Sequence, residues 1–347
     1  MTVHALVVRL DALGDVLLAG PAVRALAAVS DRLTLLVGPQ GEDAARLLPG
    51  VDGVLVWRCP WIDPSPEPLD PADVAEVVSA VAALEADRAV VLTSFHQSPL
   101  PTALLLRLAG VPWVAAESED YPGSLLDLRH RPPGGDLPEA ERMLSLARAA
   151  GGRLPVGDDG GLALRQPLPD VADLVPRAPY VVLHPGTSVP ARAWAADRFA
   201  ETAQLLQHDG WAVVVTGGPG EVGLTARVAG HGGTRLTDLG GLTTTAQLAA
   251  VLQGARAVVA GNTGPAHLAA ATGTPVVSLF APTVPVERWA PYGVPTVVLG
   301  DQGAPCRGTR ARDCPVPGHP CLTSVTPSDV VASVGKLADP VGREGAP

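Results

Sequence analysis

The sequence predicts an α/β protein made of two similar domains, each with a parallel β-sheet covered by helices. Short β-branched runs alternate with Ala- and Leu-rich helical stretches along the chain, which is the pattern of parallel α/β domains. The strand candidates are continuous apolar runs, as expected where helices cover both faces of a sheet. The length of 347 residues exceeds what one hydrophobic core usually serves, so two domains are expected.

The first half alternates strands and helices. We predict strands at 5–9, 33–37, 51–57, 89–93 and 111–115, with the clearest helices at 72–86 and 102–109. A polar stretch rich in Gly and Pro, 151–179, interrupts the alternation and is the best linker candidate.

The alternation restarts in the second half. We predict strands at 180–183, 212–216, 257–260 and 276–280, with helices at 198–207, 244–253 and 264–271. Beyond residue 281 we expect loops, then a helix at 327–337 and a flexible tail. The predicted division is therefore an N-terminal domain 1–165, a C-terminal domain 166–326, and a terminal helix with tail 327–347. Two such halves place a ligand cleft between them, at the C-terminal ends of the strands.

Composition restricts the classes of partner. The formal charge of −10 argues against a nucleic-acid partner, because such binding depends on cationic contacts to phosphates. A small anionic ligand remains compatible, since a local cluster of amides or one arginine can bind phosphate. We identify no apolar run of the ~18 residues that a membrane helix needs and no export signal. Four cysteines in so long a chain suggest a reducing cytoplasm.

The first motif is R-L-D-A-L-G-D-V, directly after the first strand. Gly14 permits a tight turn and close approach of a ligand. Asp15 stands where the next helix begins, at the mouth of the sheet, which suggests an acid or base that faces the ligand. The alternative is that Asp15 is only a helix N-cap. Asp11 is a weaker candidate for either role.

The second motif is H-P-G-T-S-V-P-A-R-A-W, again after a strand. Its hydroxyls, Thr187 and Ser188, together with Arg192 suit a diphosphate, because arginine can bind two phosphate oxygens at once. The alternative is an ordinary loop with a solvent-facing arginine.

The third motif is T-G-G-P-G-E-V-G. Gly218, Gly220 and Gly223 satisfy G-x-G-x-x-G after a strand, and Asp238 lies near the acidic position of a dinucleotide site. An NAD-dependent oxidoreductase is therefore a competing hypothesis. Against it, the motif follows a later strand of its domain. In a nucleotide-sugar site, Glu221 would instead accept hydrogen bonds from ribose, and a plain glycine-rich turn is a third possibility.

The fourth motif, A-G-N-T-G-P-A-H, is the most informative. A strand leads into Asn262, Thr263 and Gly264, and a proline then lies in the first turn of an Ala-rich helix. Such a helix start presents backbone N–H groups and the positive end of the helix dipole to an anion. His267 lies one turn further and is expected to bind the same ligand, although a lone helical histidine is usually just packed.

Two weaker features remain. A zinc site could in principle use three cysteines and one histidine: Cys306, Cys314, Cys321 and His319. Their spacing fits no standard knuckle, and a loop with buried or redox-sensitive thiols is the favoured interpretation. The stretch H-Q-S-P-L-P follows a first-half strand, so His96 and Gln97 are placed on the acceptor side by position alone.

Taken in order, these motifs resemble the heptosyltransferases of glycosyltransferase family 9. That family has an early G-D loop, a K/R-x-W before a helix, a G-G-x-x-E turn and a D-x-G-x-x-H helix start. The corresponding stretches here are Gly14-Asp15, Arg192-Ala193-Trp194, Gly217-Gly218 with Glu221, and Asn262-Thr263-Gly264 through His267, with Phe280 to Pro285, Trp289 and Pro291 continuing the pattern.

The resemblance implies a GT-B fold of two Rossmann-like domains, the first binding the acceptor and the second the donor. It implies a cytoplasmic, inverting enzyme that uses an ADP-heptose-like donor, needs no metal or other cofactor, and acts on a glycan, glycolipid or small molecule. Peripheral contact with the inner membrane face is compatible with this. A non-catalytic nucleotide-sugar binder is the other alternative.

Matched residue by residue, the resemblance makes Asp15 the general base. It makes Gly14, Arg192, Thr187 and Ser188 part of the donor site, with Arg192 on the diphosphate. Asn262, Thr263, Gly264 and His267 would hold the diphosphate region. Glu221 would bind ribose, and Leu242 falls where an apolar residue of the family contacts adenine. The family usually has Asp at the position of Asn262, and this departure bears on contact with the donor sugar.

Overall fold

The computed structural model describes residues 2–63, 65–132, 134–230 and 235–338. The chain divides into two compact units, Met1–Arg165 and Gln166–Pro347. Each unit is a parallel sheet with helices, and each is described by itself.

The first unit contains, within its described residues, a six-stranded sheet. Its strands are β1 (His4–Arg9), β2 (Arg32–Val37), β3 (Gly53–Val56), β4 (Arg88–Val91), β5 (Val114–Glu117) and β6 (Leu128–His130). Its helices are α1 (Leu13–Leu18), α2 (Gly20–Ala27), α3 (Glu42–Leu47), α4 (Pro71–Ala82), α5 (Leu100–Leu108) and α6 (Glu139–Ala149).

The second unit has the same plan over the residues described for it, again with six strands in one sheet. Its strands are β7 (Tyr180–His184), β8 (Ala212–Gly217), β9 (Leu236–Gly240), β10 (Ala257–Gly261), β11 (Val276–Leu279) and β12 (Thr296–Leu299). Its helices are α7 (Ala196–His208), α8 (Val222–Ala229), α9 (Thr245–Gln253), α10 (Gly264–Ala271), α11 (Val286–Trp289), α12 (Pro320–Thr323) and α13 (Pro327–Ala338).

The order of the strands is the same in both sheets. The first sheet runs β3-β2-β1-β4-β5-β6 and the second runs β12-β11-β10-β7-β8-β9, so each has the Rossmann order 3-2-1-4-5-6. In this arrangement the chain reverses its direction of winding between the first and fourth strands, and ligands bind outside the carboxyl ends of the strands there. We call the loops after β1 and β4 the first switch point, and those after β7 and β10 the second.

The core follows from the apolar strand sequences. The central strands β1, β7 and β10 are buried along their whole length, because helices cover both faces of each sheet. Local signals define several helix starts. Asp70 caps α4 by accepting from the Ala72 N–H, with Pro71 in the first turn. Thr244 and Gln247 form a capping box at α9.

The predicted linker, 151–179, is not uniform, because its residues up to Arg165 belong to the first unit. Residues 151–179, all of them described, contain no helix or strand. The first part nevertheless packs onto the first unit: Arg24 donates to both carboxylate oxygens of Asp158, at 2.6 and 2.8 Å, and the Arg165 N–H donates to the Leu47 carbonyl. The tertiary contacts thus attach these residues to the first unit.

Every predicted strand forms, with ends shifted by a few residues, but β6, β9 and β12 were not predicted. All three are edge strands, half-buried for most of their length. Polar residues interrupt β6 and β9, whereas β12 carries a short apolar run that was not identified as a strand. The loop-rich stretch expected between residue 281 and the last helix therefore also contains β12, α11 and α12. The predicted flexible tail falls on 339–347, outside the described residues. Among the described helices, none combines the length and apolarity needed to cross a membrane.

Candidate active site

Arg9 organises the first switch point. It is the last residue of β1 and is fully buried. Its Nη2 donates to Asp15 Oδ1 at 3.0 Å and to Ser94 Oγ at 2.9 Å. Its Nη1 donates to the Leu92 carbonyl at 3.4 Å and lies 3.4 Å from Asp11 Oδ2. One guanidinium therefore joins the loop after β1 to the loop after β4.

Asp15 is the third residue of α1, and the N-cap of that helix is Ala12. The alternative that Asp15 is an N-cap is therefore wrong. The Asp15 side chain is 24% exposed, so it is in contact with both Arg9 and solvent. Gly14 is buried inside the first turn of α1 rather than in a turn before it. The geometry leaves Asp15 accessible to a ligand while Arg9 holds it.

Asp11 and Gln97 complete the first network. Gln97 Nε2 donates to Asp11 Oδ1 at 2.6 Å, and Gln97 Oε1 accepts from the Ser94 N–H at 2.9 Å. Burial raises the pKa of Asp11, Arg9 opposes that rise, and Asp15 adds to it. Asp11 is the more buried of the two carboxylates, with its side chain 14% exposed against 24% for Asp15.

The two residues predicted on the acceptor side, His96 and Gln97, have different surroundings in the structure. His96 is exposed and its ring meets that of Phe95 edge-on, with centroids 5.3 Å apart. Both ends of the Gln97 amide are engaged within the network. His96 is the member of this pair that faces solvent.

Arg192 and Asn262 connect the two loops of the second switch point. Arg192 is half-buried in a short 3₁₀ turn, and its Nη1 donates to the Asn262 carbonyl at 3.4 Å. Asn262 is buried, and its Nδ2 has no hydrogen-bond partner among the described residues. These groups follow β7 and β10, the strands that flank the reversal of winding.

The start of α10 lies beside them. Thr263 is the N-cap, yet within the described chain its side chain accepts no capping hydrogen bond, and Pro265 is in the first turn. Gly264 begins the helix, and His267 is buried one turn later. In this first turn Pro265 has no N–H and the Ala266 N–H donates to the Thr263 carbonyl at 3.1 Å, which leaves the Gly264 N–H as the group that the helix start presents beside Asn262.

Glu221 approaches the second switch point from the loop after β8. Its Oε2 accepts from the Gly218 N–H at 2.7 Å and lies 3.9 Å from His184 Nε2. A Cβ on Gly186 would be 2.0 Å from Glu221 Oε1, so glycine at 186 is what lets this carboxylate occupy its place.

His184 supports Glu221 from the end of β7. Its Nδ1 is 3.0 Å from Thr216 Oγ1. Burial lowers the pKa of His184 to about 4, although Glu221 favours the charged form. The ring is therefore neutral at pH 7 and acts as a hydrogen-bonding group rather than a cation.

The remaining predicted donor residues lie at the periphery. Leu242 is 65% exposed after β9, which leaves its apolar side chain available to a flat ring. The hydroxyl of Thr187 is engaged locally with Val189, and Ser188 is exposed. Trp194 of the R-x-W motif is buried against Phe199, with ring centroids 5.0 Å apart, so it packs rather than binds.

The glycine-rich turn does not have the geometry of a dinucleotide site. Such a site uses its later glycines for close approach of the backbone and the helix. A Cβ on Gly223, the glycine that would allow close helix–strand packing, would meet no atom within 4 Å in the described structure. The Gly218 N–H, which would face a pyrophosphate, is bound by Glu221. The oxidoreductase alternative is therefore disfavoured.

The disfavoured alternative of a zinc site finds no ligand set in the described residues. No group of three or more His, Cys, Asp or Glu side chains in the described residues is arranged to hold a metal ion. His319 contacts the Ala191 carbonyl instead. Cys306 and Cys321 are buried, and burial, with Cys306 and Cys314 close by, raises the pKa of Cys321 to about 12. These thiols are part of the core.

The loop after β11 bounds a cavity of about 340 Å³ at the same edge of the second sheet. Its lining residues are Pro282, Val284, Pro285, Val286, Glu287, Gln302, Gly303 and Arg307. The Thr283 hydroxyl next to it is buried and, in the described part of the chain, has no hydrogen-bond partner. The cavity adds a partly polar space beside the strand next to β10.

Sequence reasoning missed Arg9, Ser94 and His184 as members of these networks. A signal for Arg9 existed, since an arginine that ends a buried apolar strand requires carboxylate partners. Nothing in the sequence joined Ser94 to Arg9, because the two residues are 85 positions apart.

Comparison with known proteins decides the family. Residues 79–318 match the family model of glycosyltransferase family 9 (heptosyltransferase), which is more than half of the chain. The chain belongs to this family. Lipopolysaccharide heptosyltransferase 1 of Pseudomonas aeruginosa is 36% identical over 163 residues, or 44% of this chain. The chain spans just under half the length of that relative, 45%.

Solved structures of the family share the fold. A glycosyltransferase family 9 protein from Veillonella parvula has a TM-score of 0.75 at 18% identity, covering 96% of this chain and 97% of that one. The E. coli heptosyltransferase WaaC, solved with ADP-2-deoxy-2-fluoro heptose, has a TM-score of 0.70 at 21% identity, covering 96% and 99%. These similarities confirm the GT-B fold class, with two Rossmann-like units.

Proposed function

We propose that this family 9 protein is an inverting glycosyltransferase that moves a sugar from an ADP-activated, heptose-like donor to an acceptor hydroxyl. The main support for this proposal is the position of the residues that match the motifs of the family. Asp15 lies at the first switch point, while Arg192, Asn262 and the start of α10 lie at the second. Switch points are where Rossmann-type sheets bind ligands.

Asp15 acts as the general base in this proposal. Its carboxylate takes the proton of the acceptor hydroxyl, the acceptor oxygen attacks the anomeric carbon, and ADP leaves from the opposite face. The first unit therefore binds the acceptor, which is a glycan, a glycolipid or a small molecule. Exposed His96 lies on the same side and contributes to that binding.

Arg192 and the start of α10 stabilise the negative charge that grows on the leaving diphosphate. Arg192 contributes a guanidinium, and α10 contributes the Gly264 N–H and the positive end of its dipole. Thr187, Ser188, Thr263, Gly264 and His267 surround the same phosphates. Because these groups supply the positive potential, the transfer needs no metal ion.

The nucleoside is recognised at the outer strands of the second sheet. Glu221 accepts hydrogen bonds from the ribose hydroxyls, and the exposed Leu242 packs against adenine. Asn262 replaces the family aspartate near the donor sugar, and its buried Nδ2 can donate to a sugar or phosphate oxygen. A carboxylate would only accept there, so the sugar requirement differs from that of an aspartate-bearing site.

Calorimetry with ADP, UDP, GDP and NAD tests the nucleotide assignment. ADP is expected to bind most tightly, and tighter binding of UDP, GDP or NAD would overturn the assignment. A transfer assay with ADP-heptose, followed by mass spectrometry of the products, then tests turnover. Binding of ADP-heptose without transfer or hydrolysis would identify a non-catalytic binder. Loss of transfer in EDTA that magnesium restores would overturn the metal-free mechanism.

A further inference from the structure

Arg9 has the geometry of a group that orients another side chain. It is fully buried, and four groups from two loops surround its two terminal nitrogens: Asp11, Asp15, Leu92 and Ser94. Its Nε is buried too and has no hydrogen-bond partner among the described residues. The guanidinium is therefore held through its two terminal nitrogens, and Nη2 donates to Asp15.

The charge at this site is balanced by its neighbours. Burial by itself lowers the pKa of Arg9, but Asp11, Asp15 and Glu139 raise it by more, so the net shift is upward. A buried cation of this kind is stable only while its carboxylate partners are present. Arg9 and Asp15 therefore depend on each other.

The contact with Ser94 restricts the orientation of the Arg9 guanidinium. Nη2 is shared between Ser94 Oγ and Asp15 Oδ1, while the Ser94 backbone is held in turn by Gln97. A planar guanidinium with a rigid set of donors can satisfy both acceptors at once, whereas a lysine ammonium on a flexible stem is a point charge. The partly exposed Asp15 side chain is thus held through its Oδ1 by a guanidinium that Ser94 holds in turn.

We propose that Arg9 is a positioning residue of the transfer reaction, which sets the orientation of the Asp15 carboxylate and is itself held by Ser94. This rests on the proposed function, in which Asp15 is the base. Arg9 touches neither substrate, since it has no exposed surface. Its contribution to the rate therefore passes through the groups that it holds, of which Asp15 is the proposed base.

The chain offers a matched control for each variant. Arg24 and Asp158 form a second poorly exposed Arg–Asp pair in the same unit, with a 2.6 Å contact and no residue at the switch point. Arg88 Nη2 donates to Ser30 Oγ at 2.8 Å, which matches the contact between Arg9 and Ser94. Arg24→Lys and Ser30→Ala therefore report the cost of losing comparable contacts elsewhere.

The experiment measures kcat at saturating ADP-heptose, ADP affinity and melting temperature. Misplacement of a catalytic group by about 1 Å costs roughly 10²-fold in rate, so Arg9→Lys is expected to lower kcat by about that factor, with ADP affinity unchanged. Ser94→Ala, which leaves the charge in place, is expected to lower kcat about fivefold. Arg24→Lys and Ser30→Ala are expected to retain the wild-type kcat.

A double-mutant cycle separates positioning from a general structural role. In the Asp15→Asn background, Arg9→Lys is expected to cause no further loss of kcat, because the residue it orients no longer takes the proton. Arg24→Lys serves as the control in that background.

Three results would overturn the inference. Arg9→Lys and Arg24→Lys could lower kcat equally, or Arg9→Lys could lower the residual rate of Asp15→Asn by the same factor as in wild type. If Arg9→Lys does not fold, a wild-type kcat in Ser94→Ala would overturn the inference instead. A fully active Asp15→Asn variant would instead overturn the proposed function itself, which is a distinct outcome.

Discussion

The two switch points have the same strand topology but present different chemical groups. The first is built from side chains: Arg9, Asp11, Asp15, Ser94 and Gln97 form one hydrogen-bonded network. The second combines Arg192, a helix start and the neutral Asn262 with Glu221, a carboxylate that accepts from a backbone N–H. A proton acceptor needs an oriented carboxylate, whereas a diphosphate needs N–H groups and positive potential. In the proposed function, the same sheet order thus serves two different tasks.

The largest expected effect lies at the first switch point. Asp15→Asn is expected to lower transfer by about 10²–10⁴-fold, because an amide cannot accept the acceptor proton. ADP affinity is expected to stay unchanged, since the proposed nucleotide site belongs to the second unit. Single-turnover transfer at saturating donor, with calorimetry of ADP binding, measures both. Turnover within a few-fold of wild type would place the base elsewhere.

Arg192→Ala tests the second switch point. Loss of charge-assisted hydrogen bonds to phosphate is expected to weaken ADP binding by roughly 10- to 100-fold. Arg192→Lys is expected to retain part of the affinity, because it keeps the charge but not the paired donors. Calorimetry with ADP decides this, and the exposed Arg227, which pairs with Asp197 on the surface, provides the control Arg227→Ala. Equal ADP affinity in Arg192→Ala and wild type would remove Arg192 from the diphosphate site.

The buried histidine of the second unit predicts a loss of stability in acid. His184 has a pKa of about 4 in the fold, against 6.5 ordinarily. As the pH falls below 6.5, the unfolded chain takes up a proton that the folded protein excludes, so stability is highest above this range and falls towards pH 4. At pH 5 the loss is about 2 kcal/mol.

Urea denaturation at pH 7.5 and pH 5 checks this loss. His184→Asn is expected to reduce the difference in unfolding free energy between the two pH values, whatever its own cost at pH 7.5. His208→Asn, at an exposed position of α7, is the control and should leave the difference as in wild type. An identical difference in His184→Asn and wild type would contradict the assignment.

The smallest effect distinguishes two glycines. Gly186→Ala is expected to leave the protein folded but to push away the Glu221 carboxylate, because the new Cβ would lie 2.0 Å from its Oε1. Loss of one ribose hydrogen bond corresponds to about tenfold weaker ADP binding. Gly220→Ala, where the space is open, is expected to bind ADP as wild type does. Weakening by Gly220→Ala instead would favour the dinucleotide-type turn.

The sequence by itself determined the elements that have strong local signals. The apolar runs predicted β1 and β7, and the Gly-Pro start predicted α10 at its observed bounds, Gly264–Ala271. The loops after β1, β7 and β10 were singled out because polar residues follow strands there. Two of the edge strands, β6 and β9, were missed because polar residues interrupt their short apolar runs.

The tertiary structure alone decided which distant residues meet. Arg9 and Ser94 come together because β1 and β4 are neighbours in the sheet, a pairing that no local pattern encodes. His184 reaches Thr216 and Glu221 for the same reason, through the pairing of β7 with β8. The sequence thus shows which residues stand at strand ends, while strand order, set by packing over the whole sheet, decides which of them share a proton, a charge or a ligand.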